Sequence, residues 1–180
     1  ADTNDGIWLA NKNQIIHFDG LSTWQRPSIK LSGVPKALLK HSNALWIGTS
    51  EGLFMAQRSG SGYAVRQVEK SISVNCLLSN GSIIMVGTTE GIYVFDKNGN
   101  KQLRLTTSEG LLHNNILNLF SDKKNRLWVC SPGSPPYFLD KENVHAFKDL
   151  SGFNCFKIIA VTEDKENNIW LASDGDGVFK

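Results

Sequence analysis

The chain has 180 residues, a formal net charge of +2, and 41% hydrophobic against 20% charged side chains. This balance suits a globular domain with one sizeable core, and the spread of five Trp, nine Phe and three Tyr excludes a disordered chain. The charge is too small, and its Lys and Arg too dispersed, to point to nucleic acid or an anionic membrane surface.

No apolar stretch approaches the ~20 residues that span a bilayer, so direct membrane insertion is not expected. The opening ADTNDGIWLA lacks the basic-then-apolar pattern of a signal peptide. The chain is thus expected to be cytoplasmic, or a piece whose targeting segment lies elsewhere. Cys76, Cys130 and Cys155 show no CxxC spacing, so neither a metal site nor a cofactor is expected, and their apolar surroundings suit small buried thiols.

In chain order, five segments fall into register: IWLANKNQIIHF (7–18), LWIGTSEGLFMA (45–56), IMVGTTEGIYVF (84–95), LWVCSPGSPPYFL (127–139) and IWLASDGDGVF (169–179). Their anchors, Trp8, Trp46, Met85, Trp128 and Trp170, are spaced by 38, 39, 43 and 42 residues. A period near ~40 fits a β-propeller blade or a helical HEAT or armadillo repeat. Short β-branched and aromatic runs cut by Gly, Asn, Ser and Asp, with no long helical period, select strands. The expected fold is an all-β propeller of four-stranded antiparallel blades, with repeat units at about 1–32 (partial), 33–70, 71–108, 109–150 and 151–180 (partial).

Two residues after each anchor the side chain is small: Ala10, Gly48, Gly87, Cys130 and Ala172. Residues i and i+2 share a strand face, so a large residue beside a small one suits sheets packed blade on blade. Three residues before the anchors stand Asp5, Asn43, Ser82, Asn125 and Asn167, all suited to tight turns. In the last two units the turn lengthens to DKKNRLW and DKENNIW. Asp122 and Asp164 are there expected to accept backbone N–H bonds and lock the hairpin.

The first unit enters at its second strand and the last stops within its third. Because the two incomplete blades lack different strands, simple closure does not repair both. The chain is therefore expected to be completed by the rest of a longer propeller, or by strand exchange with a second copy.

The stretch EGLLHNNILNLFSDKKNRLWVCSPG (109–133) resembles the two-component regulator propeller repeat, and LWIGTSEGLF matches the core of that repeat closely. Met85 in place of Trp, the missing turn Asp in the second and third blades, and Cys130 in the Gly position depart from its pattern. The resemblance implies the periplasmic sensor region of a hybrid two-component system of Bacteroidetes, part of an inner-membrane receptor. It also implies an oligosaccharide ligand and a histidine kinase outside this chain.

The four histidines, His17, His41, His113 and His145, fall at unrelated repeat positions with no metal-ligand spacing. SDKKNRLW is similar to the Asp box of sialidases, a structural motif, and no arginine triad accompanies it. Asp174 and Asp176 in SDGDGVF supply two oxygen ligands, too few to argue for calcium. Propellers bind ligands on the face where loops between blades meet those joining second and third strands. Here these carry Glu51, Glu90, His113, Asn114, Ser134, Asp174 and Asp176, the candidate ligand-binding groups. Trp24 and Arg26 form a non-repeating aromatic–basic pair suited to packing or an interface. The leading reading is a non-enzymatic sensor; the rivals are a protein-interaction propeller and, last, a propeller lyase or glycosidase.

Overall fold

The computed structural model describes residues 7–12, 14–18, 25–60, 62–140, 143–147 and 157–180. Asp5, Trp24 and Cys155 lie outside them.

Among the described residues, five antiparallel sheets follow one another along the chain. The first is β1 (Ile7–Asn11), β2 (Gln14–Phe18) and β3 (Gln25–Lys30), hydrogen-bonded in that order. The second is β4 (Pro35–His41), β5 (Ala44–Thr49), β6 (Gly52–Ser59) and β7 (Gly62–Lys70). Next come β8 (Val74–Asn80), β9 (Ile83–Thr88), β10 (Gly91–Asp96) and β11 (Lys101–Leu105). A 3₁₀ turn at Thr107–Glu109 precedes β12 (Asn118–Ser121), β13 (Leu127–Cys130), β14 (Tyr137–Asp140) and β15 (Asn143–Ala146). The last sheet is β16 (Ile158–Glu163), β17 (Ile169–Ser173) and β18 (Val178–Phe179). Every sheet is a meander in sequence order, which tight turns between alternating strands allow.

The chain divides into two compact units, Ala1–Val74 and Asn75–Lys180. In the first, Ile15 and Ile29 of one sheet pack on Leu45, Ile47, Phe54 and Ala56 of the next. In the second, one cluster joins Met85, Ile92 and Val94 to Leu111, Ile116, Leu119, Val129 and Tyr137. Another joins Trp128 and Cys130 to Ile158, Val161 and Leu171. Apolar burial between successive sheets is what holds each unit together. The anchors Trp46, Met85 and Trp128 are buried, whereas Trp8 and Trp170 are half-buried.

The small residue two places on has a partner that the repeat pattern did not identify. A Cβ at Gly48 would collide with the side chain of Val74, at the start of β8. One at Gly87 would collide with Cys76 Sγ and stand 2.8 Å from Ile116 Cγ2, just ahead of β12. Neither glycine has a left-handed φ, so the requirement is space for the residue that leads into the next inner strand. The anchor beside each glycine sets the packing level; the approaching strand sets the size limit.

The hairpin turns differ by length. In the long turns the left-handed residues are Asn125 (φ 59°) and Asn167 (φ 67°), at the expected positions. In the two-residue turns they are Ser42 (φ 53°) and Gly81 (φ 62°), one place before Asn43 and Ser82. A positive φ at the first of two loop residues is the II′ pattern, which matches strand twist.

Candidate functional site

Asp122 and Asp164 do more than hold backbone. Asp122 Oδ1 accepts the N–H groups of Lys124 and Arg126, both at 2.9 Å. Its Oδ2 accepts the Trp128 indole N–H at 2.9 Å and Arg126 Nε at 2.5 Å. Asp164 repeats the clasp, accepting Glu166 and Asn168 N–H and then the Trp170 indole at 2.8 Å. Each aspartate thus ties its turn to the anchor Trp six residues on. Burial pushes the Asp122 carboxyl up, but the Trp128 and Arg126 donors outweigh it and hold it below the usual carboxylate range. The Trp170 indole and Asn168 amide hold Asp164 lower still. Carboxylates so fully engaged are turn clasps, not reaction groups.

On the opposite end of the second, third and fifth sheets, a hydroxyl three residues after the anchor clips the turn that carries a candidate ligand residue. In the first unit Thr49 Oγ1 donates to Gly52 O at 3.0 Å and accepts Glu51 N–H at 3.1 Å. In the second, Thr88 does the same with Gly91 O and Glu90 N–H, at 2.9 and 3.0 Å. Ser173 Oγ donates to Gly177 O and accepts Asp176 N–H. Gly91, at φ 119°, lies against Leu105 O of the outer strand, where no Cβ fits. These clips preorganise exposed carboxylates on rigid backbone.

The candidate groups are not equally available. Glu51 is exposed at the first unit's clipped turn. In the second unit Glu90 Oε2 pairs with Arg104 at 3.2 Å, and that guanidinium, 5.0 Å from the Tyr93 ring centroid, also donates to Glu90 O. Asp174 pairs with Lys157, and among the described residues no group of three or more His, Cys, Asp or Glu stands placed to hold a metal ion. His113 is exposed, and its Nδ1 accepts Asn115 N–H at 3.0 Å. In the neutral ring the proton then sits on Nε2, an outward donor. Asn114 Oδ1 accepts Thr107 N–H at 2.8 Å, and the Thr106–Glu109 capping box fixes the same loop.

The fourth sheet departs from this pattern. Its clip residue is Ser131, but the turn has lengthened to SPGSPP, and Ser134 Oγ bonds Ser131 O at 3.4 Å instead. Ser131 Oγ and the Tyr137 hydroxyl are both buried without a hydrogen bond. Burial raises the Tyr137 phenol, offset in part by the nearby Ser131 side chain and Leu112 backbone.

The repeat pattern also missed a latch on the inner strands. Ten residues before their anchors stand Lys36, Asn75 and Asn118. Lys36 Nζ donates to Ser73 Oγ at 3.0 Å, and Asn75 Nδ2 to Ile116 O at 2.9 Å. Asn118 Nδ2 donates to Ile159 O at 3.1 Å. Each bond joins one inner strand to the next inner strand or to the residues just ahead of it. The common offset from the anchor was visible in the sequence; the shared role was not, because Lys and Asn differ in chemistry.

Repeated four-stranded meanders, interlocked through small residues and inner-strand latches, define a β-propeller. Residues 110–133 match the sequence model of the family described as Two component regulator propeller. The fourth blade is therefore a repeat of that family.

Among solved structures, the chain is similar to the extracellular domain of BT3049 from B. thetaiotaomicron, described as a hybrid two component system. The TM-score is 0.78 at 21% identity, over 99% of this chain and 25% of that one. The extracellular domain of the hybrid two component system BT4673 from the same organism gives 0.57 at 17% identity, over 97% and 32%. Virginiamycin B lyase from Staphylococcus aureus gives 0.71 at 12% identity, over 96% and 64%. The chain thus spans a quarter to a third of the two-component domains it resembles. At these identities the likeness is one of fold. No curated protein matches significantly.

Proposed function

We propose that the chain is a ligand-sensing segment of an extracytoplasmic propeller in a two-component receptor. It recognises an oligosaccharide and relays the signal to a kinase outside the chain. The observation that carries this reading is the two-component regulator repeat at 110–133. Superposition of nearly the whole chain on part of a two-component extracellular domain supports it. Clipped turns presenting Glu51 in one unit, and Glu90, His113, Asn114, Asp174 and Asp176 in the other, suit hydrogen bonding to sugar hydroxyls. A ligand that prefers one propeller packing shifts the receptor's population toward it.

The similarity to a lyase is of fold, and function lives in the site rather than the fold. Isothermal titration against a panel of neutral and acidic oligosaccharides, with chromatography of the recovered sugars, tests the proposal. Binding with unchanged sugars supports it. Cleaved or eliminated products would overturn it in favour of an enzyme, and silence across the panel would remove the saccharide reading.

A further inference from the structure

The first unit contains a cleft of about 480 Å³ at the end of the sheets opposite Glu51, beside the Ser42–Asn43 turn. One wall is aromatic. The rings of Trp8 and His17 lie 4.5 Å apart, and Tyr63 meets Trp8 edge-on at 5.1 Å and 79°. The rim carries Lys40, Gln57 and Arg58, all exposed. Among the described residues that line the cleft none is acidic.

The origin of the cleft lies in one side chain. Ala56 on β6 pairs with Leu45 on β5. The same place in the next two sheets is held by Phe95, opposite Ile84, and by Leu139, opposite Leu127. A large apolar residue thus occupies this place in the third and fourth blades, and the second blade has a methyl group. Trp8, on the wall of the cleft, is half-buried, where the anchors Trp46 and Trp128 are 0% and 4% exposed.

We propose that this cleft binds an acidic saccharide, a uronate or sulfated sugar, through the Trp8–Tyr63 wall and the Arg58–Lys40 rim. This rests on the saccharide-sensing reading above and adds a binding point away from the loops that carry Glu51. Aromatic rings take the apolar C–H face of a pyranose, and Gln57 and the Ser42–Asn43 turn supply hydroxyl partners. The guanidinium of Arg58 suits bidentate capture of a carboxylate or sulfate, with Lys40 as a second point charge. The volume falls within the ~300–1,000 Å³ of small-molecule sites, enough for a disaccharide.

The test is isothermal titration of the full chain with digalacturonate, a chondroitin sulfate disaccharide and, as neutral reference, galactobiose. At least one acidic sugar is expected to bind about tenfold or more tightly than galactobiose. Digalacturonate carries carboxylates alone and the chondroitin disaccharide a carboxylate and a sulfate, so preference for both points to the carboxylate and preference for the second alone to the sulfate. Arg58→Gln should remove that preference, and Ala56→Phe, which copies Phe95, should abolish binding in a chain that far-UV circular dichroism shows to be folded. Lys97→Gln, at an exposed lysine that does not line the cleft, should leave the affinity unchanged. Retained binding in folded Ala56→Phe overturns the cleft but leaves saccharide sensing standing. Preference for galactobiose overturns the acidic assignment. Failure of the parent to bind any saccharide, acidic or neutral, overturns both.

Discussion

Gly87→Ala tests the packing argument most directly. The new methyl would overlap Cys76 Sγ and stand 2.8 Å from Ile116 Cγ2, with no left-handed backbone to complicate the result. Overpacking a tight core costs roughly 1–3 kcal/mol, offset by about 0.4–1 kcal/mol from the stiffer unfolded chain. The net loss is about 1–2 kcal/mol, or a fall in Tm of about 2–8 °C for a chain of this size. Gly62→Ala is the control, since the nearest heavy atom to its Cβ is 4.0 Å away; it should be neutral or slightly stabilising. Combining Gly87→Ala with Cys76→Ala removes the closest clash, and the pair should exceed additivity by about 1 kcal/mol. Thermal unfolding followed by tryptophan fluorescence gives all four values. If Gly87→Ala is as stable as Gly62→Ala, packing sets no size limit at Gly87; if its cost adds to that of Cys76→Ala without coupling, the limit does not come from the inner strand of its own sheet.

Three further outcomes follow from the clasps and buried groups. Asp122→Asn should cost about 2–3 kcal/mol in urea unfolding, because Asp122 is 4% exposed and holds charge-assisted bonds. The Trp128 indole proton should shift in the same variant's NMR spectrum. Both clasp aspartates have folded pKa values below their unfolded ones. Their contribution is therefore full above about pH 4 and is lost as pH falls through the folded values, so Asp122→Asn should flatten the acid limb of the stability profile. Tyr137→Phe should cost less than about 1 kcal/mol, since its buried hydroxyl lies near Ser131 and Leu112 without a well-formed hydrogen bond to lose; a larger loss would show that one of these contacts is a working bond. Burial pushes Cys76 and Cys130 up to about 12. In a Cys155→Ser background both should resist Ellman's reagent at pH 8 until urea is added.

Much of the architecture was legible because each hairpin is a local object. Trp46 and Gly48, or Asp122 and Trp128, lie within a few residues of one another, and alternation along a strand decides which face they share. Repetition of the pattern then identified a blade without any knowledge of its neighbours. Less legible was what each repeated position touches. The turn position held by Asn125 was readable, yet the shift to Ser42 in the short hairpin depends on loop length and strand twist. Glu90 and Asp174 looked like open carboxylates, because Arg104 and Lys157 are 14 and 17 residues away from them. Their pairing is set by which strands lie side by side.

The sequence by itself determined the repeat, the strands, the hairpin clasps and, through the motif at 110–133, the family of one blade. All of these depend on spacing within a single unit. The tertiary structure alone decided that Gly87 yields to Ile116, that Asn118 reaches Ile159, and that Ala56 leaves a cleft beside Trp8. These relations join one repeat to another, and a linear pattern read unit by unit does not contain the contact between units. An alanine in register is unremarkable as a letter. Its missing volume acquires meaning only where the wall of the next blade stands across from it.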